Sequence, residues 1–145
     1  MQLTLAHIGP KPSEGFAKLT SGYLERIAVY CPVSAESFRS EAGMVEWLNR
    51  QRTRPYLVLL DGGGKVFSSE RFAEFIGARR DEGTRQMVFA VGPADGWSRA
   101  GLAEARCSVS LGPMTLAHSL ARLVIAEQLY RAFTILAGHP YHTGH

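Results

Sequence analysis

At 145 residues the chain has the length of one domain, and its 46% hydrophobic and 20% charged residues are ordinary for a globular protein with a real core. No apolar run is long enough to span a bilayer, and the two cysteines, Cys31 and Cys107, lack CxxC spacing. A net charge of +3 does not select a nucleic-acid partner, although 13 of the 16 cations are arginine, the side chain suited to bidentate phosphate contact and base stacking.

The first nine residues lack a basic region and are too short for a signal sequence, which predicts a soluble, cytoplasmic protein with reduced thiols. Leu3, Leu5 and His7 alternate with polar or small residues and stop at Gly9-Pro10, a first strand. Residues 13–26 carry Phe16, Leu19, Tyr23 and Leu24 at helical spacing, with Ser13 as candidate N-cap. Residues 27–31 read as a strand closed by Pro32, and residues 40–51 as a helix around Met44, Val45 and Leu48. Tyr56-Leu57-Val58-Leu59-Leu60 is continuously apolar, as a parallel strand buried on both faces is, and runs into Asp61-Gly62-Gly63-Gly64-Lys65. A helix over 69–79 carries Phe72, Phe75 and Ile76, and a buried strand over 87–91 ends at Gly92-Pro93-Ala94-Asp95-Gly96. A short helix after Ser98 and a short strand over 107–109 lead into a long helix over 115–137, stopped by Gly138 and Pro140. Alternating strands and helices predict an α/β domain, with a mostly parallel sheet and helices on both faces.

Three loops, 60–65, 92–96 and 110–117, follow the carboxyl ends of strands, where such sheets hold their ligands. Their glycines let a ligand approach the backbone, and Leu60, Leu111, Met114 and Leu116 offer apolar walls for a flat heteroaromatic group. Nucleotide motifs are missing: Lys65 is followed by Val66 rather than a hydroxyl residue, and no GxGxxG follows the first strand. GxSxG and HExxH are absent as well, so nothing points to nucleophilic hydrolysis.

The long C-terminal helix spreads Leu120, Leu123, Val124, Ile125, Leu129 and Phe133 around its circumference, which implies burial in the core or against a second copy. Arg122, Glu127 and Arg131 interrupt the run and exclude a membrane span. His118 and Glu127 are nine residues apart and point to different faces, so they are not a ready-made catalytic pair. His139, His142 and His145 lack cysteine or carboxylate support, and no metal is expected there.

In chain order, residues 59–65 with Ser68-Ser69-Glu70-Arg71-Phe72-Ala73 come first, and then residues 89–96. After them runs a stretch from Ser110-Leu111 through Met114-Thr115-Leu116, His118, Arg122, Glu127 and Tyr130-Arg131-Ala132 to His139-Pro140-Tyr141-His142. Together these closely resemble the RlmH family, SPOUT-class methyltransferases that modify a pseudouridine of bacterial 23S ribosomal RNA. The motif-bearing match covers residues 57–142, and the N-terminal third fits in layout. The resemblance implies an α/β fold with a SPOUT-type trefoil knot near the C-terminus, a homodimer, and S-adenosylmethionine as cofactor. It places the cofactor contacts on Leu60, on Gly92 and Pro93, and on Leu111, Gly112, Pro113, Met114, Thr115, Leu116 and Ala117. The implied reaction methylates N3 of a pseudouridine in the helix 69 loop of 23S rRNA, on assembled ribosomes.

Three positions depart from the family pattern. Val91-Gly92-Pro93 stands where the family usually has Ile-Gly-Gly, and Pro93 has no amide to donate. Gly112 and Ala117 replace a serine and a proline, which is expected to loosen the third loop. Thr143-Gly144-His145 replaces a basic residue after His-Pro-Tyr-His, leaving His145 as partial substitute for a terminal RNA contact.

The implied transfer needs alignment of the uracil nitrogen with the methyl carbon, and loss of the imide proton. His142 is the first candidate for the base and His118 the second, since neutral imidazoles suit that task at cytoplasmic pH. A helix-start hydrogen bond is the competing reading of His118. Arg122 and Arg131 hold phosphates or bridge a dimer, and Tyr141 stacks on the target base or packs over the cofactor pocket. Two other readings stay open: a non-catalytic RNA- or ribosome-binding module that keeps the cofactor fold, and a methyltransferase with another acceptor.

Overall fold

The two continuously apolar runs pair with each other inside the sheet, because only a strand covered on both faces can be apolar at every position. The computed structural model describes residues 1–144. In chain order it has β1 (Gln2–Ile8), α1 (Glu14–Ile27), β2 (Val33–Phe38), α2 (Glu41–Arg50), β3 (Tyr56–Val66) and α3 (Ser69–Asp81). Then come β4 (Gln86–Val91), α4 (Arg99–Glu104), β5 (Cys107–Ser110), α5 (His118–Ala137) and a 3-10 turn over His142–Gly144. The strands form one sheet in the order β2-β1-β4-β3-β5, with every neighbouring pair parallel.

Strand alternation sorts the core into two layers. Leu3, Leu5, Val58, Leu60, Met87 and Phe89 face Leu24 and Ile27 of α1, Phe72 and Ile76 of α3, and Ile125 and Leu129 of α5. Ala6, Ile8, Leu57, Leu59, Val88 and Ala90 face the other way, onto Met44 and Leu48 of α2 and the rings of Trp47 and Trp97. Each fully buried Leu, Ile, Val or Phe side chain contributes about 1.5–3 kcal/mol relative to exposure, so the two layers together dominate the stability. Helix α5 turns its buried side to α1 and α3, with Ala126, Ala132 and Phe133 inside and the Ser69 hydroxyl donating to Gln128 Oε1 at 2.8 Å. No described helix is long and apolar enough to cross a membrane.

The structure corrects the sequence reading in four places. Residues 27–31 are not a strand: Ile27 ends α1, completing a core face with Leu24, and the chain turns before β2 begins at Val33. The Pro32 carbonyl accepts from Leu3 N at 2.9 Å, so the proline leads into an edge strand rather than closing one. Loop 60–65 is part of β3. Its residues 61–64 bulge out between Leu60 and Lys65, which both pair with Val109. The bulge needs Gly64, where a Cβ would sit 2.6 Å from the Ser108 carbonyl carbon. Finally, α5 starts at His118 rather than Thr115, and Ser13 occupies the N-cap position of α1 without a side-chain cap bond.

Candidate active site

Parallel strands bring their carboxyl ends to one edge, and the bulge within β3 and the segments after β4 and β5 meet there. They enclose a cavity of about 480 Å³, within the usual range for small-molecule sites. Leu60, Gly92, Pro93 and all of residues 111–117 line it. A depression of about 520 Å³ lies between α2 and α4, with Glu41, Glu46 and Glu104 on its rim and no strand end opening into it.

Trp97 shapes the cavity. Its Nε1–H donates to the Leu60 carbonyl at 2.9 Å, tying the β4 loop to the end of β3. The indole lies so close over Gly92 that a Cβ there would be 2.6 Å from Cε2. The Pro93 carbonyl accepts from Gly96 N at 2.9 Å, closing the loop on itself. In the third segment the Ser110 hydroxyl oxygen accepts from Gly112 N at 3.1 Å, and Gly112 has φ +124, a backbone conformation that L side chains rarely adopt. Gly112 therefore shapes the loop rather than merely loosening it.

At the start of α5, polar groups collect without partners. His118 lines the cavity, and its Nε2 is buried with no hydrogen-bond partner, so the helix-start bond is not formed by that nitrogen. Its ring meets that of His7 edge to face, with centroids 5.7 Å apart. His7, at the carboxyl end of β1, is 2% exposed, and no side chain bonds either ring nitrogen. Burial, then the Arg122 charge and His118, pushes its pKa down to about 4, opposed only weakly by the Pro10 backbone. Arg122 follows one turn after His118; it is 8% exposed, its Nε is unpartnered, and burial lowers its pKa.

Tyr141 and His142 follow the C-terminal end of α5, fold back onto Glu127, Tyr130 and Arg131, and do not line this cavity. Glu127 is the hub of their network: its Oε1 accepts from Arg131 Nη2 at 2.7 Å and from the Tyr141 hydroxyl at 2.9 Å. Burial and that carboxylate push the Tyr141 phenol up to about 12, so it remains a donor. Arg131 Nη1 meets His142 Nδ1 at 3.0 Å, and because a guanidinium only donates, Nδ1 is the acceptor. The His142 proton then sits on Nε2, which donates to Glu70 at 2.8 Å, and this bond holds the Glu70 carboxyl below its ordinary range. The basic lone pair of His142 is thus engaged within the protomer.

His139 is exposed and its Nδ1 accepts from Tyr141 N at 3.1 Å. No group of three or more His, Cys, Asp or Glu side chains is placed to hold a metal among the described residues, and His145 lies outside them. The half-buried thiols of Cys31 and Cys107 are free, and burial raises both.

Sequence reasoning missed Trp97 and His7. An aromatic directly after the Gly92–Gly96 loop was the available signal for the first. His7 gave only a polar residue on the core side of a strand.

Comparison with known proteins settles the family. The family described as "Predicted SPOUT methyltransferase" matches residues 1–142. A relative from Koribacter versatilis, named ribosomal RNA large subunit methyltransferase H, is 44% identical over 146 residues, covering 100% of both chains. This chain belongs to the RlmH family of SPOUT methyltransferases.

An RlmH relative from Rhizobium etli is 39% identical over 158 residues, covering 98% of this chain and 99% of its own. Among solved structures, the SpoU methyltransferase AviRb of Streptomyces viridochromogenes, in complex with AdoMet, superposes with TM-score 0.54 at 15% identity. The match covers 94% of this chain and 58% of AviRb. TrmJ from Z. mobilis gives TM-score 0.56 at 15% identity, over 89% of this chain and 69% of its own. At that identity the two structures establish the fold, and the cavity of this RlmH-family chain lies at the carboxyl edge that the fold leaves open.

Proposed function

We propose that this chain transfers the methyl group of S-adenosylmethionine to N3 of a pseudouridine in the helix 69 loop of 23S rRNA. It acts on assembled ribosomes in the cytoplasm, as a homodimer with a trefoil-knotted backbone. The observation that carries the reading is the single cavity that gathers Leu60, Gly92, Pro93 and residues 111–117. The full-length similarity to relatives named ribosomal RNA large subunit methyltransferase H points that cavity at ribosomal RNA.

The residues fit the cofactor. Leu60, Val91, Leu111 and Leu116 supply apolar walls for its adenine, and the backbone of the two loops supplies acceptors and donors for its polar edges. His118 sets an orphaned buried nitrogen at the same wall. When bound, S-adenosylmethionine supplies an electrophilic methyl group, so alignment accounts for most of the acceleration.

Residues 111–117 orient the acceptor base against that wall, and Trp97 keeps the β4 loop closed over water. His118, the imidazole at the cavity, takes the N3 proton. His142 and Tyr141 do not reach the cavity of their own protomer, so a role for either at the reacting base requires the second copy. Apolar side chains left outside near the cavity support such a copy: Met114 is 82% and Leu120 37% exposed.

Transfer of labelled methyl from S-adenosylmethionine to ribosomes lacking the modification, with the product nucleoside mapped by mass spectrometry, tests the reading. Label on the helix 69 pseudouridine is the expected result. Label elsewhere identifies another acceptor, and cofactor binding without label identifies a non-catalytic module.

A further inference from the structure

Arg122 is a buried cation with no anion. It is 8% exposed, its Nε has no partner, and among the described residues no carboxylate oxygen lies within 4.0 Å of its side-chain nitrogens. The only acid on its helix, Glu127, is engaged by Arg131 and Tyr141. A guanidinium this far out of water, with its Nε unpartnered, is stabilised by a counter-charge, and the described residues supply none.

The surroundings are polar in the same sense. Helix α5 is 20 residues long and starts at His118, its N-cap Ala117 gives no side-chain cap, and its first bond is Ala121 N to Ala117 O at 2.9 Å. The amides of residues 118–120 thus point out of the helix at its positive end. Arg122 stands one turn in, and a helical side chain leans back over the preceding turn. His7 and His118 complete the group from β1 and from the helix start, with three buried ring nitrogens that no side chain bonds. His7 pairs with Val91 in the sheet, and Val91, His118 and Ala121 line the cavity, which places His118 in the cavity wall on its β1 side with His7 and Arg122 behind it.

We propose, building on the methyltransferase reading, that the N-terminus of α5 with Arg122 and the His7–His118 pair is an oxyanion subsite of the cavity. Its ligand is a singly charged oxyanion: the α-carboxylate of the cofactor's amino-acid end, or a phosphodiester of the RNA. Arg122 supplies the formal charge of the cluster, which one such group neutralises. Helix amides and a guanidinium are the donors that charge-assisted recognition of carboxylate and phosphate uses.

The first test needs no cofactor. Inorganic phosphate is titrated into the protein while the imidazole resonances are followed by NMR. His7 and His118 are expected to shift saturably in the wild type and in Arg122→Lys, and not in Arg122→Met; the wild-type titration stands even if Arg122→Met fails to fold. Two further arms separate the sources. If the anion is the cofactor carboxylate, decarboxylated S-adenosylmethionine binds the wild type about tenfold more weakly than the parent, and Arg122→Met removes the difference. If it is an RNA phosphate, that difference is absent, while Arg122→Met raises KM for ribosomes about tenfold and flattens the salt dependence by about one charge. Flat His7 and His118 signals in the wild type overturn the subsite. So does an Arg122→Met protein whose sole defect is weakened self-association in sedimentation, because the counter-charge then comes from a second copy. A wild type that shows the phosphate shifts but binds no S-adenosylmethionine sinks the methyltransferase reading and keeps the subsite.

Discussion

Burial of a neutral His7 makes the protein's stability depend on pH in a defined window. The folded pKa is about 4, set by burial and by Arg122 and His118, against the ordinary 6.5 of the unfolded chain. Between these values the unfolded state binds the proton and the folded state does not, so stability falls as pH falls. The contribution is complete above pH 6.5 and decays from there towards pH 4. At about 1.4 kcal/mol per unit, His7 alone removes about 1.4 kcal/mol at pH 5.5 and about 2.5 kcal/mol at pH 4.5. Carboxylates titrate in the same range, so the assay must isolate one side chain. Urea unfolding of the wild type and of His7→Leu, at intervals from pH 7.5 to 4.5 in buffer free of phosphate, does this by difference. Leucine fits a strand position 2% exposed, and the gap between the two proteins is expected to swing by about 2–3 kcal/mol in favour of the variant towards acid. Parallel stability curves would show that His7 is not buried neutral beside Arg122, and the electrostatic account of the α5 terminus would fail with them.

Trp97→Phe keeps the ring but removes the donor to the Leu60 carbonyl. About 1–3 kcal/mol of stability is expected to go, with weaker S-adenosylmethionine binding by calorimetry. Gly64→Ala drives a Cβ to 2.6 Å from the Ser108 carbonyl carbon, and thermal unfolding should report at least about 2 kcal/mol lost. Gly62→Ala, in the same bulge with nothing within 4 Å, is expected to stay within about 0.5 kcal/mol and serves as the control. His118→Gln should lower kcat for methyl transfer by about 10²-fold or more, whereas His142→Gln, able to accept from Arg131 and donate to Glu70, should leave it within about threefold. The reverse pattern would restore His142 as the base.

The fold is legible where burial demands a pattern. Residues 57–60 of β3 and residues 87–91 of β4 are buried on both faces, and nothing but an unbroken apolar run satisfies that. Strand β2 is the opposite case. It pairs on one side only, its Ser34, Glu36 and Ser37 are tolerated at the sheet edge, and its signal is weaker than that of Ile27–Cys31, which α1 and the following turn use up. The Gly62–Gly64 bulge is invisible for another reason: glycines read as a turn, whereas the chain re-enters the same strand pairing five residues late.

The cavity walls are legible because they are local: each is a small-residue segment directly after a strand run that pairs in the sheet, and parallel pairing brings such segments to one edge without further information. The side chains that act on the cavity's contents are not local, and this is where sequence spacing loses its hold. His7 and Arg122 are 115 residues apart, joined only because β1 pairs with β4 and α5 packs back across the sheet. Conversely, Tyr141 and His142 belong to the same C-terminal motif as His118, yet the chain folds them back onto Glu127 and Arg131, about 14–20 Å further along the axis of α5, and neither lines the cavity. Proximity in a motif therefore misassigns the tail to the cavity of its own protomer. On this placement neither Tyr141 nor His142 reaches the contents of that cavity, and both are held instead by the Glu127–Arg131–Glu70 network.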